Sequence, residues 1–281
     1  MRSILHFTGY NLKRLFMSPR PYIVFLALFA VMQIGIGGAN TYLIENGQKL
    51  QAVELYVLMH SSSVCQLIFI LGLLLLLGDA PFLKEGMSFR LIRTNRVRWL
   101  IGQILSCIII SAIYLLVLEL LVLILFRGHI TVQNSWSEPV ILAAQLGNGM
   151  AINIEMAVQF PIRILQAGTP YAMFGLTFLY SLLLYAFFSV LLIACNLRLR
   201  TGIGCLAVTV FWCWKLMLNY VLDARLLWYL SPCNLACLSE QTFQPTMVLY
   251  TVMYFLVICC CLCLLALRFT RSGDLLKGDY A

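Results

Sequence analysis

Six apolar runs decide what this chain can fold into. They lie at roughly 22–40, 60–78, 99–126, 171–195, 203–222 and 246–267. An α-helix rises ~1.5 Å per residue and the hydrocarbon core of a bilayer is ~30 Å thick, so ~20 apolar residues suffice to cross it. The chain as a whole agrees. Hydrophobic residues make up 62% of 281 and charged residues only 11%, with a mean hydropathy of +0.93. A soluble domain carries about 25% charged residues. Backbone groups in lipid must be satisfied within their own segment, and the ten-residue alternation of a barrel strand is absent. The expectation is an all-α integral membrane protein of six transmembrane helices in a single domain over 1–281.

The first run does not read as a cleaved signal peptide. About twenty residues precede it, and it is longer than the 7–15 residues of a signal's apolar core. The small residues GIGGA near its end also serve helix packing in lipid.

Orientation follows from the cations. Six spans put both ends on one face. That face receives Arg2, Lys13, Arg14 and Arg20, then Lys84, Arg90, Arg93, Arg96 and Arg98, then Arg198 and Arg200, and finally Arg268, Arg271 and Lys277. These are 14 of the 19 Lys and Arg. The opposite loops hold Lys49, Arg127, Arg163 and Arg225, and Lys215 lies inside a run. The positive-inside rule therefore places both termini in the cytoplasm and the chain in the plasma membrane. The net charge of +8 is then a topology signal and not a sign of nucleic acid.

Residues 3–20, SILHFTGYNLKRLFMSPR, put Ile4, Leu5, Phe7, Leu12, Leu15 and Phe16 loosely on one helical face, with Lys13 and Arg14 off it. This predicts an interfacial helix, with Pro19 and Pro21 breaking the join to the first span. Outside, 127–170 is apolar but interrupted by Gln145, Asn148, Asn153 and Glu155. A seventh span there would invert the charge bias, so external helices lying on the membrane or on other spans are expected. The segment 223–245 is too short to cross twice and carries a Ser-Pro break, which fits two short helices dipping in from the outer face.

Eleven cysteines include CCCLC at 259–263. Consecutive residues of a helix point around it, so these read as small hydrophobes in a packed span rather than as metal ligands. Cys233 and Cys237, in CNLAC, lie outside and either pair or remain free. The chain holds no Walker A loop, no H-E-x-x-H and no G-x-S-x-G, so no catalytic residue or cofactor site is expected in it. Paired acids at mid-membrane, as a proton relay would use, are missing too.

One ionisable residue lies deep. Lys215, in FWCWKLMLNYVLD, falls two turns inside the outer end of the fifth run. An intramembrane charge is a functional candidate by default. Trp212, Lys215 and Asn219 share a stripe that could line a polar path, with Glu119 on another span as a candidate counter-charge. Alternatively the lysine snorkels outward and the tryptophans pack.

The order of these parts resembles a known family. A basic interfacial helix leads into six spans. A cationic link, GDAPFLKEGMSFRLIRTNRVRWLIGQ, joins spans two and three, a short link joins four and five, and helices dip in between five and six. In order and length this is similar to ABC-2 permeases, the membrane subunits of type-2 ABC exporters. Only the external segment 127–170 departs, being longer than the family's usual loop there. The resemblance implies that 80–98 carries a coupling helix docking in a groove of a separate ATP-binding subunit, which would hold the ATP and magnesium. Lys84, Met87 and Leu91 lie at i, i+3 and i+7, with Phe89 and Arg90 beside them and Glu85 and Arg93 flanking. Apolar side chains would fill the groove while arginine forks meet carboxylates. A solvated loop, or cations resting on anionic lipid, is the other reading of the same residues.

A second permease, identical or different, would complete the path. Cargo would be hydrophobic or amphipathic, such as an antimicrobial peptide, a drug or a lipid-linked compound. A standalone secondary transporter, or a subunit that senses or immunises without transporting, is the alternative.

Overall fold

The computed structural model of the chain describes residues 2–82, 96–146, 161–199, 202–221, 225–241 and 243–272. Nearly all of them are helical. In chain order the elements are α1 (Arg2–Phe16), α2 (Arg20–Asn46), β1 (Leu50–Gln51), α3 (Glu54–Ser61), α4 (Ser63–Leu77), α5 (Arg96–Leu125), β2 (Ile130–Thr131), α6 (Glu138–Leu146), α7 (Ile162–Ala167), α8 (Pro170–Arg198), α9 (Ile203–Tyr220), α10 (Arg225–Trp228), α11 (Pro232–Leu235), a 3₁₀ turn (Leu238–Glu240) and α12 (Pro245–Ser272).

Four helices, α2, α5, α8 and α12, are long and apolar enough to cross a membrane, and the bent pair α3–α4 makes a fifth if it counts as one span. The run at 60–78 is therefore not the straight helix its composition suggests. The chain turns by 93° at Ser62, and α4 alone has 15 residues, or about 22 Å. The cause is local: Ser61, Ser62 and Ser63 stand together, and serines compete for the backbone bonds a helix would use. Ser61 Oγ donates back to Val57 O at 2.8 Å. The fifth run also forms a short helix, α9, of 18 residues or about 27 Å.

The interfacial helix of the sequence reading is α1, but it is docked on protein. It buries Phe7, Thr8, Asn11 and Leu15 and leaves Leu5 and Phe16 exposed. Asn11 Nδ2 donates to Ser106 Oγ at 3.1 Å and Thr8 Oγ1 to Gly102 O at 3.3 Å, both on the first turns of α5. Among the described residues, the segments expected outside form β2, α6 and α7, then α10, α11 and the 3₁₀ turn.

α8 is the centre of the bundle. It packs on α12, α9, α5 and α3, and 67% of its apolar window is buried. α12 packs on one side only, with 11% of its window buried, and presents Leu249, Met253, Leu256 and Leu264 outward, as a lipid-facing helix must. Two glycines permit the closest approaches. A Cβ on Gly72 would collide with the Tyr114 hydroxyl, which donates to Phe69 O at 2.8 Å. One on Gly204 would sit 2.8 Å from Leu192 O and 2.9 Å from Asn196 Oδ1, so α9 starts flush against α8.

Contacts sort the elements into two ends. At one, Arg20 pairs with Asp79, Arg96 Nη1 donates to Thr270 O at 3.1 Å, and α1 grips the start of α5. At the other, β1 pairs with β2 in parallel, Leu50 opposite Ile130. There Glu54, fully buried, accepts from Gln51 N at 3.0 Å and from both the amide and the hydroxyl of Ser137. Trp136 Nε1 donates to Gly168 O at 2.8 Å. The segment after α5 is thereby folded down as a cap over the ends of α3 and α8.

Candidate functional site

Lys215 is the charge that the bundle treats most unusually. It lies on α9 with no exposed surface. Its Nζ donates to Gln66 Oε1 at 2.6 Å, and among the described residues no carboxylate meets it. Gln66 stands in the first turn of α4, immediately past the bend. Its own Nε2 donates to Cys233 O, on α11, at 3.4 Å. One turn further along α9, Asn219 Oδ1 accepts from Asn234 Nδ2 at 3.1 Å. So α4, α9 and α11 meet at one polar knot, toward the end that carries the 127–146 cap.

The bend and the knot depend on each other. Ser61 O accepts from Ser239 Oγ at 2.8 Å and from Cys237 Sγ at 3.2 Å. The carbonyl that loses its helical partner at the kink is thus satisfied by the segment that delivers Cys233 and Asn234 to the lysine. Cys233 and Cys237 are both buried free thiols. Burial pushes the Cys233 thiol up to about 12, with the Lys215 charge acting against it.

The stripe read from sequence is real in part. Trp212 and Lys215 are neighbours at i and i+3, and Trp212 Nε1 is buried with no hydrogen-bond partner. Asn219 belongs to the same knot. Glu119 does not. It is buried on α5 with both carboxyl oxygens unpartnered, and its electrostatic neighbour is Tyr56 on α3. The counter-charge expected of Glu119 is replaced by the neutral oxygen of Gln66. Nor does Lys215 snorkel, since its ammonium turns inward to α4.

The proposed coupling residues, Lys84, Glu85, Met87, Arg90, Leu91 and Arg93, lie outside the described residues. The elements flanking them are well defined. Asn196, near the end of α8, donates to Gly78 O at 3.2 Å and to Ala80 O at 2.7 Å, and accepts from Gly204 N at 3.0 Å. One amide therefore ties the exit of α4, the end of α8 and the start of α9.

Sequence reasoning passed over Gln66, Asn196 and Glu54. Each is a lone polar residue in or beside an apolar run, and that was the available signal, since a polar side chain in lipid needs a partner. Comparison of the chain with protein-family models, with curated proteins and with solved structures finds no match.

Proposed function

We propose that this chain is the permease subunit of an ATP-driven exporter of the ABC-2 kind, working with a separate ATP-binding subunit and a second permease. The observation that carries the reading is how the link 83–95 is mounted. It leaves α4 where Asn196 fastens the chain and enters α5 where α1 and the end of α12 hold the first turns. A push on such a link reaches four helices through buried and half-buried hydrogen bonds. A merely solvated loop has no need of these fixtures.

Six crossings fit the same arrangement. α2, the α3–α4 pair, α5, α8, α9 and α12 each run from one set of end contacts to the other. Both terminal helices gather at the cationic end, where α1 and the last turn of α12 touch α5. Short α4 and α9 are served by the segments that dip toward them, α3 and α11. The cationic end is the cytoplasmic one.

Two measurements test this reading. Single cysteines at Ser88 and Thr201, in a background without the native cysteines, should resist impermeant thiol reagents in intact cells, while one at Gln133 should label. Labelling at 88 from outside would overturn the topology. Purification of the chain from the host that makes it should bring an ATPase with it. Loss of that subunit under mild extraction, with transport retained by the chain alone in vesicles, would instead favour a standalone transporter.

A further inference from the structure

We propose that Lys215 receives an anionic headgroup, the carboxylate or phosphate of an amphiphile, and that Gln66 holds its place in the empty protein. A lysine ammonium carries three N–H donors, and among the described residues one is used. Its partner is a neutral amide, which compensates a buried charge poorly. One turn earlier, the Trp212 indole offers a further buried donor with nothing to accept it. Gln66 lies in the first turn of α4, so the positive end of that helix falls at the same place. Positive charge gathers at this knot, with the Trp212 donor on the same stripe of α9, while the Cys233 carbonyl is already engaged by Gln66. The missing element is an anion.

The site also has a means of opening. The Gln66–Lys215 bond joins α4 to α9, and the Gln66–Cys233 bond joins α4 to the re-entering segment. An arriving anion that takes the ammonium from Gln66 releases the first turn of α4 from α9, while Asn196 still ties the other end of α4 to the start of α9. Because Lys215 is fully buried among apolar helices, about one and a half turns before the end of α9, the anion must arrive on a molecule that tolerates hydrocarbon.

As a statement about cargo this rests on the permease reading. As a statement about binding it is measured on the isolated chain, so failure to recruit an ATPase would leave it untouched.

The full chain is purified into nanodiscs of phosphatidylcholine, and its thermal unfolding midpoint is followed, since a ligand of the folded state raises it. The probes are N-dodecanoylglycine, dodecyl phosphate, neutral N-dodecanoylglycinamide and inorganic phosphate. Both anionic amphiphiles should raise the midpoint, with apparent affinities about tenfold or more above that of the neutral amide. Lys215→Met should abolish the difference and Lys215→Arg should keep it. Gln66→Glu delivers a carboxylate to the ammonium from within. That variant should unfold at a higher midpoint unliganded and no longer respond to the probes. Gln66→Leu removes the placeholder and should tighten binding.

Equal responses to anionic and neutral amphiphiles overturn the proposal, as does an unchanged response in Lys215→Met. If that variant does not fold, a folded Gln66→Glu protein that still binds the anions overturns it equally. A shift from inorganic phosphate as large as that from dodecyl phosphate overturns the amphiphile in favour of an aqueous ion.

Discussion

Arg90→Glu combined with Arg93→Glu is expected, on the permease reading proposed above, to leave the chain inserted and abundant but unable to recruit or stimulate an ATP-binding subunit. If the two arginines meet carboxylates on a partner, reversal removes two forked donors and adds two repelling charges. Losing one member of a buried charge pair costs ~2–5 kcal/mol, and reversal costs more. Even the lower figure is a loss of ~30-fold in affinity, since ~1.4 kcal/mol is tenfold. Insertion should survive because the same end of the bundle keeps its other cations. Arg96 remains bonded to Thr270 O, and Arg20 remains paired with Asp79. Co-purification of the ATPase and its stimulated rate are the quantities to measure. A variant that inserts inverted would show that these cations served topology alone. One that inserts correctly and keeps both the ATPase and full transport would show that 83–95 is a solvated or lipid-facing loop.

The long apolar helices were legible because lipid imposes a length and a composition that few other constraints can mimic. α5, α8 and α12 fall close to the runs at 99–126, 171–195 and 246–267. Composition cannot see a bend. SSSVCQLIFILGLLLLL has the hydropathy of one span, and the bend its serines allow is completed by Cys237 and Ser239, which bond Ser61 O from 176 and 178 residues away in sequence. The same limit hid the partner of Lys215. A cation suggests an acid by charge arithmetic, and Glu119 was the acid at hand. The side chain that answers Lys215 is an amide 149 residues away, brought to it where the first turn of α4 passes α9. α1 shows the reverse case. Its apolar face was readable, yet Thr8 and Asn11 lie in the buried interface because they meet the backbone and hydroxyl of α5. Polar residues on an amphipathic helix look solvated until their partners are known.

Asn196 gives the largest expected effect on the fold itself. Its side chain is 8% exposed and makes three hydrogen bonds, donating to the carbonyls of Gly78 and Ala80 and accepting from the amide of Gly204. Asn196→Leu keeps the number and branching of the side-chain heavy atoms and leaves all three backbone groups without this partner. An unsatisfied buried polar group costs about 1–3 kcal/mol, and at this end of the bundle some carbonyls will find water, so a loss of about 2–5 kcal/mol is expected.

Asn196→Asp separates the bonds. The carboxylate can still accept from Gly204 N, but it faces two carbonyls it can no longer serve. It should therefore be at least as damaging as leucine, although it is the smaller chemical change. Thermal unfolding in detergent gives the order, with Asn46→Asp as the control. Asn46 is exposed, bonds only within its own helix at Tyr42 O, and should shift the midpoint little. Because Asn196 also fastens the chain where it leaves α4 for the link at 83–95, its loss should weaken coupling beyond what stability accounts for. At a temperature where the Asn196→Leu protein is fully folded, ATPase recruitment should persist while transport per ATP hydrolysed falls. Unchanged coupling in a folded variant would mean that the link acts through α5 alone, by way of α1 and Arg96, and that the α4–α8–α9 tie only holds the bundle together.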